Sequence, residues 1–447
     1  MPSSYGRRRF LATGSTLLAS SLLARTAQAQ EEPPATHPFP NGFLWGSATA
    51  GHQVEGNNVN SDSWLLENIH PTLFAEPSGD ACNHYHLFPQ DIALLADLGL
   101  NTFRFSVEWS RVEPEDGMIS HAELDHYRAV LDTCHQHGIR PMVTFNHFTV
   151  PRWFSGRGGW EHPDAALVFG RYCDTVARAL GDRMAFATTL NEPNLTKLLF
   201  GIPGLRQSKL GTHLDHEIIR KAGQMMGTGR FSSWIFGDLE HIHDGLLKAH
   251  KAGYQAIKSV WPNLPVGVSI AMEDDQAIDD DAIPMRDKKR RLAYEPWFEA
   301  VSSHGDFLGV QAYSRCRIGP DGMLPPQKGA PLTDMGYEFY PEVLEGVLHY
   351  THEHVKVPLY VTENGVATTD DKRRVEYIRR AVTGVARCLQ QGIDVRGYVH
   401  WSLLDNFEWL EGYRPRFGLV AVNRTTFERH LKPSATYLGQ IARSNSV

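Results

Sequence analysis

Eight short runs of β-forming residues, spread over almost the whole chain and separated by segments of helical periodicity, restrict this sequence more than any other feature. The runs are Phe43 to Ala48, Thr102 to Val107, Pro141 to Phe145, Ala185 to Leu190, Pro265 to Ala271, Phe307 to Tyr313, Pro358 to Thr362 and Arg396 to Trp401. Between them, Gln90 to Leu98, Ala122 to His137, Asp164 to Leu180, Gly245 to Val260, Pro341 to His354 and Asp371 to Gln391 carry the helical pattern. Glycines close several of these helices just before the next strand, as in Leu98-Gly99-Leu100, His137-Gly138-Ile139 and Gln391-Gly392-Ile393. No Gly-x-Gly-x-x-Gly follows the first run, so a doubly wound nucleotide-binding sheet is disfavoured. The pattern predicts an α/β protein built as a single (β/α)8 (TIM) barrel, with its chemistry at the C-terminal strand ends.

With 447 residues, 42% of them hydrophobic, the chain can fill one large barrel. Its formal net charge of −7 leaves no basic footprint for nucleic acid. The first residues read differently. Gly6-Arg7-Arg8-Arg9-Phe10-Leu11 is a basic start, Leu11 to Ala24 is apolar and rich in small residues, and Ala27-Gln28-Ala29 is a small-x-small cleavage site. Residues 1–29 are therefore expected to be a signal peptide. The paired arginines resemble a twin-arginine signal, which exports folded proteins. A mature domain over residues 30–447, periplasmic or secreted, follows, opening on the Pro-rich stretch Glu31 to Pro40. No later apolar run reaches the roughly 18 residues of a membrane span.

Five widely spaced cysteines (Cys82, Cys134, Cys173, Cys316 and Cys388) without a Cys-x-x-Cys pair point to reduced, packed thiols. His84 and His86 near Cys82, and His349, His352 and His354, do not make a convincing metal set: on a helix the last three do not share one face. The acidic stretch Glu273-Asp274-Asp275 to Asp279-Asp280-Asp281 lacks the glycine of a calcium loop and is expected to be a solvated loop. Neither a metal nor a cofactor is called for.

Two glutamates carry the functional reading. Glu192 follows the fourth run in Thr189-Leu190-Asn191-Glu192-Pro193, and Glu363 ends the seventh before Asn364-Gly365. A retaining glycosidase needs two carboxyl groups about 5–5.5 Å apart, one to attack the sugar and one to protonate the leaving oxygen. A barrel would bring both strand ends to one rim. Asn-Glu-Pro alone is weak, arising by chance in roughly one chain of this length in twenty. The other strand ends strengthen it with Gln53, Arg104, Asn146-His147-Phe148, Tyr313, Trp401, Glu408, Trp409 and Phe417. Planar donors and acceptors suit sugar hydroxyls, and indole faces suit the apolar side of a pyranose. Singly, Arg104 could pair with a structural carboxylate and the tryptophans could be core. At successive strand ends they make a pocket.

These motifs closely resemble the family-one glycoside hydrolases, the retaining β-glucosidase and β-galactosidase family. The resemblance runs from Phe39-Pro40-Asn41-Gly42-Phe43-Leu44-Trp45-Gly46 to Trp401-Ser402-Leu403-Leu404-Asp405-Asn406-Phe407-Glu408-Trp409 and Arg416-Phe417-Gly418-Leu419. It implies Glu192 as acid/base and Glu363 as nucleophile, with Tyr313 and Arg104 orienting Glu363 and keeping it ionised. Asn191 would bond the 2-hydroxyl, Gln53, His147, Glu408 and Trp409 the other glycone hydroxyls, and Trp401 would floor the ring, with Phe417 beside it. Glu408 favours neutral hexosides over 6-phosphates, and gluco and galacto substrates both fit. A transglycosylase using the same intermediate, or a noncatalytic sugar-binding protein, are the competing readings. The chain departs from the family pattern at Ala187 (usually tryptophan), Asn194 (usually aromatic), Gln311-Ala312-Tyr313 (usually Asn-Tyr-Tyr) and Leu195 to Asp238. Ala187 and Asn194 are expected on the leaving-group side, with the 195–238 stretch supplying contacts to an unusual aglycone.

Overall fold

The computed structural model describes residues 37–204 and 216–447. The expected signal peptide and most of the Pro-rich lead-in lie outside the described residues, as does part of the stretch after the fourth strand. Eight strands form the barrel: β1 Leu44–Ala48, β2 Thr102–Ser106, β3 Arg140–Asn146, β4 Phe186–Asn191, β5 Val266–Ala277, β6 Phe307–Gly319, β7 Leu359–Asn364 and β8 Val395–Trp401. Each pairs in parallel with the next, and β8 pairs with β1 through Leu44↔Gly397 to Ala48↔Trp401, so the sheet closes.

The helices form because their apolar residues recur at helical spacing and their ends are capped. In Ala165–Leu180 the buried residues Phe169, Tyr172, Cys173, Val176 and Leu180 share one face. That face meets the long helix Leu239–Val260, whose start is capped by the Asp238 carboxylate accepting from the Glu240 and His241 amides. Where the two helices cross, a Cβ on Gly253 would stand 2.9 Å from the Phe169 ring, so glycine sets how closely they approach. Gly99, Gly138 and Gly392 take the left-handed φ values of +86°, +70° and +86° that end a helix and return the chain to a strand. Among the described residues, no helix is long and apolar enough to cross a membrane. All five cysteines are buried and free, as expected.

Inside the barrel, Leu44, Met142, Phe186, Phe307 and Tyr360 cluster near the N-terminal ends of their strands and form an apolar floor. Above that floor the interior turns polar, and the site begins there.

The structure corrects one expectation outright. Strands β5 and β6 run on past the rim to Ala277 and Gly319, still paired from Asp274↔Arg315 to Ala277↔Ile318. Glu273 and Asp275 therefore lie in a strand and are almost wholly buried; only Asp279, Asp280 and Asp281 are exposed. Lys289, fully buried on the helix Ile283–Ala293, explains it: its Nζ donates to Glu273 Oε2 at 2.8 Å and to Asp275 Oδ1. Burial opposes its charge, yet Asp275 and Glu273 hold its pKa well above the usual lysine range. A buried charge persists when paired, and no local sequence pattern showed which lysine would do so.

Lys289→Met leaves two carboxylates buried without their cation. Burial then holds their pKa values above those of the unfolded chain, so the folded protein keeps protons the unfolded one releases, and stability falls as pH rises from about 4. The expected loss in chemical denaturation is about 3–5 kcal/mol at pH 7–8 and smaller near pH 4. A deficit independent of pH would show that the triad is not ionised.

Candidate active site

Arg104 stands in the middle of β2 with its guanidinium in the barrel interior, fully buried. Nη1 donates to Glu363 Oε1 and Nη2 to Asn191 Oδ1, each at 2.6 Å. Asn191 Oδ1 also accepts from Gln311 Nε2 at 2.8 Å, which orients the amide so that Nδ2 meets His147 Nε2 at 3.2 Å. The second oxygen of Glu363 accepts from the Tyr313 hydroxyl at 2.6 Å. Donors from β2 and β6 thus hold both oxygens of one carboxylate on β7.

Beside this lies a second set. Glu408 Oε1 accepts from the Trp401 indole at 3.3 Å, and Oε2 lies 3.5 Å from Gln53 Nε2, which also donates to the Phe407 carbonyl at 2.7 Å. Trp401 stacks on His147 with centroids 5.7 Å apart, Trp409 stacks on His52 at 5.5 Å, and Phe417 meets Tyr313 edge-on at 5.7 Å. These rings are fixed by neighbours before any ligand arrives.

A cavity of about 400 Å³ opens over the barrel's C-terminal rim. Of the eleven residues expected at the site, Glu192, Glu363, Tyr313, His147, Asn191, Trp401, Glu408, Trp409 and Phe417 line it. Arg104 and Gln53 stand one layer behind, bonded to Glu363 and Glu408 respectively. Phe148, Glu192 and Trp409 all have left-handed backbones, with φ of 69°, 44° and 52°, a conformation that costs roughly 1–3 kcal/mol for a non-glycine residue. At Glu192 it is held by the backbone amide donating to Ser269 O at 2.8 Å.

The two catalytic candidates sit in unlike surroundings. Burial pushes the Glu192 carboxyl well above the usual range, and the Glu363 charge pushes it further, with only Arg104 opposing. Burial raises Glu363 too, but Arg104, Tyr313 and Gln311 all pull against it. The net push on Glu363 is still upward but three groups oppose it, so Glu363 is the member of the pair that ionises first and Glu192 the one that holds its proton longer. His147 is driven well below its ordinary pKa by burial and by Arg104, so the imidazole is neutral.

Two expectations about the leaving-group side fail. Ala187 is buried in the layer between barrel and helices and does not line the cavity. Strand alternation requires this, because Phe186 belongs to the interior floor. Asn194 is also buried outside the cavity: its Nδ2 donates to the Ala271 and Ala293 carbonyls at 2.7 and 3.1 Å, and its Oδ1 accepts from the Ala271 amide at 2.9 Å. It is a staple for the chain leaving β4. The 195–238 stretch does reach the cavity, through Leu195, Leu198, Leu199 and Trp234. Met272, Met335 and Tyr337 also line it and carry no motif by which the sequence could mark them. Glu273, Asp275 and Cys316 lie close enough together for a metal set, but the Lys289 ammonium already bonds both carboxylates.

The comparisons with known proteins agree with this geometry. A β-glucosidase of solved structure, β-glucosidase 1317, is 47% identical with a TM-score of 0.86, covering 90% of this chain and 98% of its own. The β-glycosidase BGL167 is 48% identical with a TM-score of 0.85, over 91% of this chain and 97% of its own. Thermostable β-glucosidase B of Thermobispora bispora is 31% identical over 92% of this chain and 91% of its own length. The sequence matches Glycosyl hydrolase family 1 over residues 35–312 and 310–447, and the chain belongs to that family.

Proposed function

We propose that this protein is a retaining β-glycosidase that hydrolyses β-glycosides of neutral hexoses by double displacement. The observation that carries the reading is one cavity holding two carboxyl groups whose surroundings drive their protonation apart. Glu363, ionised and held by Arg104 and Tyr313, attacks the anomeric carbon. The bond from that carbon to the aglycone oxygen breaks, and the oxygen leaves with the proton of Glu192. The glycosyl ester on Glu363 is uncharged, so Glu192 no longer faces a neighbouring negative charge and is the base for the second step. Water gives it a proton and attacks the same carbon, freeing Glu363. Two inversions leave the configuration retained.

The remaining wall grips the glycone. Asn191 and His147 face its hydroxyls beside Glu363, Trp401, Trp409 and Phe417 supply apolar faces, and Glu408, whose carboxyl is pushed well above the usual range by burial, hydrogen-bonds hydroxyls. Gln53 and Arg104 act from behind, through Glu408 and Glu363. Glu363→Gly is expected to abolish turnover, and azide to restore it on an activated aryl glycoside with the inverted, α-glycosyl azide as product. Glu192→Ala should lose roughly 10²–10⁴-fold on poor leaving groups, much less on dinitrophenyl glycosides, and give β-glycosyl azide with azide. Exchanged product stereochemistry would reverse the two roles.

Export of the folded enzyme is part of the same proposal, supported by Arg7-Arg8 ahead of Phe10-Leu11 and by Ala27-Gln28-Ala29. Residues 1–29 are removed, and the domain acts in the periplasm or outside the cell. Replacing Arg7 and Arg8 by lysine is expected to leave active enzyme in the cytoplasm, measured by fractionation; unchanged export would overturn the twin-arginine route.

A further inference from the structure

We infer that the leaving group this enzyme selects is an apolar alcohol or phenol rather than a second sugar, an inference that rests on the glycosidase reading above. The acid that protonates the leaving oxygen is Glu192, so whatever lies just beyond Glu192 in the cavity faces the aglycone. The helix Leu195–Phe200 begins three residues later. Leu195, Leu198 and Leu199 stand at i, i+3 and i+4 on it, and all three line the cavity. Its polar residues turn elsewhere: Lys197 is mostly buried and pairs with Glu240. Met272, next to the Ala271 that Asn194 bonds, also lines the cavity, whereas Met335 packs with Trp401 and Phe417.

A glucose aglycone would need donors and acceptors there, and two of the polar side chains that line the cavity, Glu273 and Ser314, are already engaged. Glu273 Oε2 takes the Lys289 ammonium at 2.8 Å, and the Ser314 hydroxyl donates to the Glu338 carbonyl at 2.7 Å. Displacing such bonds without replacing them loses affinity, whereas an aryl or alkyl chain against leucine and methionine gains it. Asn194 belongs to this device as a positioning residue. Its three hydrogen bonds pin the start of the leucine helix to β5 and to Ala293, so this helix is anchored where the family usually carries an aromatic ring.

The test is a series of ethyl, butyl, hexyl and octyl β-glucosides, in which the alcohol's leaving ability is nearly constant, run beside cellobiose and β-glucosyl and β-galactosyl fluoride. The fluorides carry almost no aglycone and read the glycosidase reaction by itself. With a fully buried methylene raising kcat/KM about fourfold, the octyl compound is expected to exceed the ethyl one by at least about tenfold and to exceed cellobiose. Leu199→Asn, at a partly exposed position, should flatten the series. A flat series in the unaltered enzyme, or cellobiose preferred to octyl glucoside while a fluoride is hydrolysed, would overturn the inference. Failure on both fluorides would instead remove the glycosidase reading beneath it.

Discussion

A guanidinium buried in the middle of a β-barrel must be paired, and the pairing of Arg104 organises everything around it. Its two terminal nitrogens bond Glu363 on β7 and Asn191 on β4, each at 2.6 Å. Gln311 and Tyr313 on β6 complete the set by bonding Asn191 and Glu363. Four strands are thereby tied together inside the barrel by bonds, most of them charge-assisted, that are fully made only if the barrel has closed in this register. The same cation does the electrostatic work, because it favours the charged form of Glu363 and leaves Glu192, with no comparable partner, to hold its proton.

Much of this was legible in the sequence, for a physical reason. Strands buried on both faces read as short apolar runs, helix-ending glycines read as punctuation, and residues at successive strand ends converge in any closed barrel. Nine of the eleven expected site residues accordingly line one cavity. The failures share a cause as well. Glu273 and Asp275 looked like a solvated loop because charge in a sequence suggests water, whereas a partner helix supplies Lys289 and buries all three. Ala187 and Asn194 differ from the family where differences suggest substrate contact, yet one points outward from β4 and the other satisfies backbone groups of β5. Orientation and long-range pairing decide such positions, and neither is written locally.

The site therefore has two halves with different origins. The half that grips the sugar comes from strand ends and the segment after β8, where the barrel fixes the side chains and, apart from Gln311 and Ala312 on β6, the family motifs are intact. The half that meets the leaving group comes from the helix after β4, where length and composition can change without disturbing the closure of the barrel. The longest departure from the family pattern, Leu195 to Asp238, falls in that second half. The chemistry stays with the barrel and the choice of aglycone with its loops.

The account stands on the unequal protonation of the two glutamates. The direct measurement is the carbon-13 NMR titration of glutamate carboxyls in the full-length protein, assigned with Glu192→Gln and Glu363→Gln. The predicted result is that the Glu363 signal moves at lower pH than the Glu192 signal, and that Glu192 loses its proton at lower pH once Glu363 is neutralised by substitution. A Glu192 signal that titrates first, or that ignores the charge on Glu363, would contradict it.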